Sequence, residues 1–262
     1  MTLTLGHGPL SRAPAAANYA IDGPDHRIFF EAHPRRVRAE LGGHVVLDTV
    51  RGALLHETGI LPVFYAPLED YDAAALERTD HTTHCPYKGD ASYWTVRAGG
   101  RVAENALWAY ESPLPSAPWL AGHGALYVDR MDRWLDEDVE VHGHLRDPYH
   151  RCDARPSSRP VEVLCAGRLL ARVDEPVLVF ETGLPTRAYL PRELFDLEPS
   201  DTRTVCPYKG DATYWSLRVG DRVLEDAAWS YEEPLDGMRP IAGLVSLLHD
   251  DLEVRIGEPL SG

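Results

Sequence analysis

A seven-residue segment that occurs twice constrains the fold of this chain more than any other feature of its sequence. Cys85-Pro-Tyr-Lys-Gly-Asp-Ala91 is repeated unchanged from Cys206 to Ala212. When residues 85–114 are aligned with residues 206–235, 20 of the 30 positions are identical. Farther upstream, Glu-Thr-Gly also occurs twice. The period of about 120 residues is the size of a small domain and exceeds the 20–50 residues of a solenoid repeat, so the sequence predicts a tandem duplication.

The duplication divides the chain into four predicted segments. We expect an N-terminal arm over residues 1–34, a first repeat over 35–141, a connector over 142–158 and a second repeat over 159–257. Within the arm, Arg27–Ala32 is predicted to be a strand that lies against the first repeat. The connector is polar and has no periodicity, which predicts a loop that crosses between the repeats.

Each repeat has the pattern of antiparallel β structure. Val37–Leu47 and Val161–Val173 each contain two apolar runs around a short turn with glycine, which predicts a hairpin in each repeat. Ala91–Arg97 sends alternate side chains to opposite faces, as a strand does. The one segment with a helical pattern, Leu68–Arg78, is short. The sequence therefore predicts an all-β protein with at most one short helix in each repeat.

Charge and apolar content disfavour several classes of partner. The chain has 41 acidic and 26 Lys/Arg side chains and a formal net charge of −15, which repels nucleic-acid phosphates and anionic membranes. No apolar stretch approaches the roughly 20 residues that a membrane span needs, and residues 1–10 lack the pattern of a signal peptide. We expect a cytoplasmic protein that binds neither nucleic acid nor membrane. The oligomeric state stays open.

Cysteine and histidine spacing gives no strong metal motif. The four cysteines are Cys85, Cys152, Cys165 and Cys206, and no two form a C-x-x-C pair. We therefore expect free thiols, with no bound metal and no cofactor. In the connector, His142, His144, His150 and Cys152 offer ligand types for a transition metal. A flexible loop, or a linker docked by its polar side chains, is the favoured interpretation of these residues.

The repeated motifs resemble those of a bacterial family, domain-of-unknown-function family 427. The resemblance is carried by C-P-Y-K-G-x-A-x-Y-W, then R-x-G-x-R-V and W-x-Y, with Glu-Thr-Gly and Tyr-x-Pro-x-Glu upstream. It covers about residues 35–140 and 159–256. The resemblance implies two tandem β-tent-like domains, each built from two antiparallel sheets joined at an edge. The same fold occurs in methionine sulfoxide reductase B and in the thalidomide-binding domain of cereblon.

The resemblance also raises two kinds of chemistry that these residues do not support. Relatives with this fold often join their sheets through a zinc ion held by four cysteines, but each repeat here keeps one shared cysteine. The family has also carried a nucleotidyltransferase-like label. The sequence has neither a Gly-rich phosphate loop nor paired metal-binding aspartates in a suitable setting.

The first repeat contains four candidate catalytic residues. Cys85 is a candidate nucleophile because the nearby Lys88 ammonium would lower the pKa of its thiol, and Lys88 itself would stabilise developing negative charge. Glu57, like Glu181 in the second repeat, follows a strongly apolar run, so burial would raise its pKa and suit it to proton transfer, and His84 is the other candidate proton carrier. The first repeat is preferred because Val205 replaces His84 in the second.

Structural interpretations of the same residues remain open. Cys85 is also explained as a buried thiol that packs in the core. Lys88 would then pair with Asp90 across the turn, and Glu57 would accept hydrogen bonds from backbone amides.

Aromatic side chains on neighbouring strands suggest a ligand pocket beside the lysine turn. Rings of this kind form cages for flat or cationic ligands, although large aromatics more often belong to a core. The candidate binding residues are Tyr87, Trp94, Trp108, Tyr110 and Arg51 in the first repeat, with Glu181, Cys206, Tyr208, Lys209, Trp215, Trp229 and Tyr231 in the second.

These features favour a protein that binds a small polar or heterocyclic molecule, with conversion of that molecule as an open extension. One working site with a structural partner, or a composite site between repeats, is favoured over two identical catalytic sites. The alternatives are a non-catalytic module that binds a peptide end or a modified side chain of a partner protein, and a purely structural tandem.

Overall fold

The computed structural model describes residues 18–19 and 22–258 of the chain, and most of the predicted arm lies outside these residues. The described chain divides after Asp147 into two units. The strand predicted over Arg27–Ala32 is present as Ile28–Ala32 and pairs with the strand that carries Glu57.

Antiparallel strands build the first unit. Its strands are β1 (Ile28–Ala32), β2 (Val37–Leu41), β3 (His44–Thr49), β4 (Ala53–Glu57), β5 (Ile60–Pro67), β6 (Leu76–Cys85), β7 (Gly89–Ala98), β8 (Arg101–Ala109), β9 (His123–Leu126), β10 (Arg133–Asp136) and β11 (Val139–Glu140). They form a seven-stranded sheet in the order β1-β4-β5-β9-β8-β7-β6 and a four-stranded sheet in the order β11-β10-β2-β3.

Over its described residues, the second unit has ten strands that repeat the succession β1 to β10 of the first unit. Its strands are β12 (Cys152–Pro156), β13 (Val161–Cys165), β14 (Arg168–Val173), β15 (Val177–Glu181), β16 (Arg187–Tyr189), β17 (Leu197–Cys206), β18 (Gly210–Val219), β19 (Arg222–Ser230), β20 (Val245–Leu247) and β21 (Leu252–Ile256). Their orders are β12-β15-β16, β14-β13-β21 and β17-β18-β19-β20. The prediction of an all-β fold of antiparallel sheets is confirmed.

The helical segments of the described chain are short 3-10 turns. The segment Leu68–Arg78, predicted to be a helix, instead contains two three-residue turns and then enters β6 at Leu76. Tyr71 between the turns is buried and donates a 2.7 Å hydrogen bond to the carbonyl of Gly124, which holds the chain against the sheet. Over residues 18–19 and 22–258, no helix has the length and apolar character needed to cross a membrane.

The predicted connector is also more ordered than a loop. Its residues Cys152–Pro156 form β12, which pairs with β15 in the same register in which β1 pairs with β4. The polar composition of this segment hid the strand because only Ala154 in its centre is fully buried. The strand therefore belongs to the second unit, as β1 belongs to the first.

Alternation along the strands sends neighbouring side chains to opposite faces of the seven-stranded sheet. Leu54 and Phe64 pack in a core with residues of the four-stranded sheet, whereas the adjacent Leu55 and Tyr65 pack on the other face. We name this second group the Tyr65 cluster, and it consists of Leu55, Tyr65, Ala91, Tyr93, Tyr110, Ala117, Leu120 and Ala125.

In the second unit, buried side chains also form two separate groups. Its corresponding group, here named the Tyr189 cluster, consists of Ala154, Val179, Tyr189, Ala212, Tyr231, Met238 and Ile241. Half-buried Tyr214 and Trp229 pack against it, as Trp108 packs against the Tyr65 cluster. The candidate sites lie on these two faces.

Candidate functional site

The repeated Cys-Pro-Tyr-Lys-Gly segment forms the turn between two long antiparallel strands. The amide of Lys88 donates to the carbonyl of Cys85 at 3.3 Å, and the carbonyl of Lys88 accepts from the amide of Leu114 at 2.9 Å. Gly89 follows with φ of +105°, a conformation that side chains disfavour. The turn holds the backbone of Lys88 at both ends and directs its side chain inward, where it is 11% exposed.

The first-repeat lysine meets a buried carboxylate. Lys88 Nζ donates a hydrogen bond to Glu57 Oε1 at the end of β4, where the Glu57 side chain is 5% exposed. His26 Nε2 lies 3.1 Å from Glu57 Oε2. The His26 ring stacks on Tyr87 with centroids 3.9 Å apart, and Lys88 Nζ lies 5.5 Å from the centre of the Tyr110 ring.

The second repeat builds the same constellation. Lys209 Nζ donates to Glu181 Oε2 at 2.7 Å, and His150 Nε2 lies 3.1 Å from Glu181 Oε1. The rings of His150 and Tyr208 lie 4.3 Å apart. A lysine, a carboxylate and a histidine with its tyrosine therefore meet in both repeats.

Hydrogen bonds to a threonine hold the backbone next to each histidine in place. The amide of Arg27, next to His26, donates to Thr58 Oγ1 at 2.9 Å, and the amide of Thr58 donates back to the carbonyl of Arg27. In the second repeat the amide of Arg151 donates to Thr182 Oγ1 at 2.9 Å. The threonine of each Glu-Thr-Gly turn thus fixes the first strand beside the carboxylate.

Ionisation of the second-repeat pair follows from these contacts. Burial alone would raise the pKa of Glu181, but hydrogen bonds from His150 and Lys209 outweigh it and lower the pKa to about 2. Burial alone would lower the pKa of Lys209, whereas Cys206 and Glu181 raise it above its ordinary value. The expectation that burial raises the pKa of the Glu-Thr-Gly carboxylate is wrong for Glu181, because two partners compensate its charge.

The thiol of Cys152 lies beside Lys209 in the second repeat. Cys152 Sγ is 3.9 Å from Lys209 Nζ, and burial raises the pKa of Cys152 to about 11 despite the opposing effect of the Lys209 ammonium. Ile28 stands at the corresponding position of β1. Cys85 and Cys206 are half-buried free thiols that pack against the Tyr65 and Tyr189 clusters.

An open cavity of about 230 Å³ lies beside the Lys209–Glu181 pair. It is lined by Val179, Glu181, Leu184, Arg187, Tyr189, Lys209, Tyr214, Trp229 and Tyr231. Trp229 Nε1 donates a 3.1 Å hydrogen bond to the Tyr189 hydroxyl. Burial raises the pKa of Tyr189 to about 12, so its hydroxyl stays protonated at neutral pH and remains a hydrogen-bond donor.

The first repeat differs from the second around the equivalent indole. Trp108 Nε1 donates to the Tyr65 hydroxyl at 3.1 Å, as Trp229 does to Tyr189. The ring of Tyr127 lies 4.5 Å from that of Trp108. In the second repeat, the position of Tyr127 is occupied by Leu248, which is 55% exposed. The two positions correspond because the backbone amide of Tyr127 donates to a carbonyl of β8, and that of Leu248 donates to the equivalent carbonyl of β19.

Two of the predicted cage residues face the opposite side of the sheet. Trp94 and Trp215 pack in the other core of each unit, where Arg78 and Arg192 lie over their rings at 5.7 and 4.9 Å. Pairing register is the reason, because Trp108 lies opposite Tyr93 rather than opposite Trp94. The tyrosine before each tryptophan therefore shares the face of the site.

His84 and Arg51 are engaged elsewhere. The exposed His84 ring hydrogen-bonds Asp90 through Nδ1 at 2.6 Å, at the outer side of the hairpin. Arg51 pairs with Glu69 at 2.7 Å and with Asp70 at the surface. Lys88 bonds to Glu57, so the alternative in which it pairs with Asp90 is wrong.

Sequence reasoning missed the two histidines of the site. His26 fell in the predicted arm and His150 in the predicted connector, yet each precedes its glutamate by 31 residues. The dipeptide His-Arg occurs at 26–27 and again at 150–151. An alignment of the repeats that extends upstream of Glu-Thr-Gly would therefore have identified both histidines.

Two of the four connector residues, His150 and Cys152, meet at the Lys209–Glu181 pair. His144 Nδ1 lies 2.7 Å from the carbonyl oxygen of Leu145, whereas His150 bonds Glu181 and Cys152 lies beside Lys209. Within residues 18–19 and 22–258, no group of three or more His, Cys, Asp or Glu side chains is arranged to hold a metal ion.

Comparison with known proteins places both repeats in one family. The model of the family described as a domain of unknown function (DUF427) matches residues 29–137 and again residues 153–257. A search of curated proteins found no match to the sequence. Both matched segments contain a complete lysine turn with its buried carboxylate and begin within the first strand of their unit. The chain therefore belongs to the DUF427 family and carries two tandem copies of its domain.

Proposed function

We propose that the second repeat binds a small planar molecule in the cavity beside Lys209 and Glu181. The observation that carries the proposal is the position of a buried, paired lysine on the wall of a 230 Å³ cavity whose other lining residues include four aromatic side chains. Ligand sites in proteins combine such apolar walls with a few fixed polar groups.

The size of the cavity supports a ligand with one ring and a polar substituent. A closed cavity of about 150 Å³ is large enough to hold benzene. The additional volume here accommodates a substituent or a second small ring. Trp229 and Tyr214 supply flat apolar surface, and the Tyr189 hydroxyl supplies a donor.

The protonation states support binding rather than nucleophilic chemistry in this repeat. Lys209 stays charged because its pKa is raised, and Glu181 stays ionised because its pKa is about 2. Cys152, with a pKa of about 11, is almost entirely protonated at neutral pH. None of these groups changes its charge near pH 7, so they suit a site that recognises a fixed pattern of charge and donors.

Tryptophan indole signals provide the test. In protein labelled with ¹⁵N-tryptophan, the Trp229 and Trp215 signals are assigned from Trp→Phe variants, and a set of one-ring and two-ring planar molecules is added. We expect ligands to shift the Trp229 signal and to leave the Trp215 signal, on the opposite face, unchanged. A set in which no member shifts the Trp229 signal selectively would contradict the proposal. Native mass spectrometry of protein purified from its own host would identify a molecule that co-purifies.

A further inference from the structure

Arg187 gives the second-repeat cavity a positive charge that no neighbouring carboxylate balances. Its guanidinium carbon lies 5.8 Å from the centre of the Trp229 ring, and the residue lines the cavity from β16. The side chain is half-buried. Among the described residues, no acidic group lies within ion-pair distance of Arg187, whereas Arg192 on the opposite face pairs with Glu232 at 2.9 Å.

The other charges that line the cavity cancel each other. Lys209 and Glu181 form an ion pair, so Arg187 supplies the net charge of the cavity wall. The chain as a whole carries −15 and repels anions at long range. A local unpaired cation in a partly desolvated hollow therefore acts at short range and favours an anionic group on a bound molecule.

The first repeat does not share this charge. Val63 stands at the position of Arg187, because Val63 lies opposite Leu55 in β4 and Arg187 lies opposite Val179 in β15. Tyr127, whose ring lies 4.5 Å from that of Trp108, is replaced by Leu248 in the second repeat. The two repeats thus keep the same lysine–glutamate–histidine constellation and differ in the charge beside the indole.

We propose that the second-repeat cavity selects a planar ring that carries an oxyanion, with Arg187 as the residue that determines this preference. The ring lies against Trp229 and Tyr214, and the oxyanion accepts hydrogen bonds from the guanidinium. The fork of donors on arginine matches the two oxygens of a carboxylate or phosphate. This inference rests on the proposed binding function and adds the chemical class of the ligand.

The test compares probes that share one ring and differ in charge. Benzoate, phenyl phosphate, benzamide and benzylamine are titrated against the full chain, with the Trp229 indole signal as readout. We expect at least one of the two anions to bind about tenfold or more tightly than benzamide, since hydrogen bonds to charged groups are the stronger ones. Benzoate and phenyl phosphate distinguish the two kinds of oxyanion.

Two substitutions assign the preference to its residue. Arg187→Val, which introduces the first-repeat residue, is expected to remove the preference while benzamide still binds. Arg192→Val removes an arginine that lies over Trp215 on the opposite face and is expected to keep the preference. Equal affinities for benzoate, phenyl phosphate and benzamide, or an Arg187→Val protein that still prefers anions, would overturn the inference. Failure of all four probes to shift the Trp229 signal would instead contradict the binding function itself.

Discussion

Lys209 donates a 2.7 Å hydrogen bond to Glu181, and both side chains are largely withdrawn from solvent, at 10% and 14% exposure. Strand β15 ends at the carboxylate, and the turn between β17 and β18 supplies the ammonium. Replacing a buried ion pair by apolar residues is often neutral or stabilising, whereas loss of one partner leaves a buried charge uncompensated. The intact pair therefore adds little net stability to the fold, whereas loss of either partner alone is costly.

Loss of the lysine alone should destabilise the protein strongly. We expect Lys209→Met to lower the free energy of unfolding by about 3–5 kcal/mol, because the buried Glu181 carboxylate loses the ammonium that balances its charge and keeps its contact with the His150 ring. Urea denaturation of the full chain measures the effect. Arg172→Met, which breaks exposed pairs with Glu162 and Asp174, is the matched control and should leave stability nearly unchanged. A similar decrease in the free energy of unfolding in both variants would contradict the expected role of burial.

Glu181 should contribute a pH-dependent part of the stability. Its pKa is about 2 in the folded protein against an ordinary value of 4.5, so the folded state binds the proton less readily than the unfolded state. Its contribution of about 3 kcal/mol is present above pH 4.5 and decreases as the pH falls toward 2.

Urea denaturation at several pH values tests this sign. The difference in stability between the native chain and Glu181→Gln should be largest at neutral pH and should shrink between pH 5 and pH 3. Because both proteins share every other titrating group, the groups that do not contact Glu181 cancel from this difference. A difference that stays constant over this range would show that the carboxylate keeps an ordinary pKa in the folded protein.

Much of the fold could be predicted from the sequence, because the duplication and the alternation of apolar residues can be recognised in the sequence itself. Both predicted hairpins are present, as β2–β3 and β13–β14, and so is the strand Ile28–Ala32. The prediction of a helix over Leu68–Arg78 is wrong, because tertiary contacts determine the conformation of this segment. Buried Tyr71 bonds Gly124, 53 residues away, and no local propensity encodes that contact.

The site was harder to predict because it depends on pairing register and on long-range partners. Lys88 and Glu57 were identified by repetition, but a register in which Tyr93 faces Trp108 could not be derived from the alternation of one strand. His26 lies 31 residues from Glu57 in sequence, and only the fold brings the two together. The choice of His84 failed for the same reason, since closeness along the chain does not place two side chains on one face.

His26 and His84 should differ in their effect on stability. We expect His26→Ala to lower the free energy of unfolding by about 1–2 kcal/mol, because it removes the contact with Glu57 and the stacking on Tyr87. His84→Ala should leave stability nearly unchanged, since its ring and its partner Asp90 are both exposed. Thermal and urea denaturation of the two variants measure the difference. A His84→Ala variant as unstable as His26→Ala would contradict the assignment of the site.

The Cys152 thiol should react slowly with alkylating reagents in the folded protein. Its pKa of about 11 exceeds the ordinary value of 9.0, because burial disfavours the thiolate, which is the reactive form. At pH 8 the thiolate fraction is then about a hundredfold smaller than that of an unperturbed thiol. Iodoacetamide labelling followed by peptide mass spectrometry measures the rate, with the same cysteine in urea as its own reference. Labelling in the folded state at the rate found in urea would show that Cys152 is neither desolvated nor shielded beside Lys209.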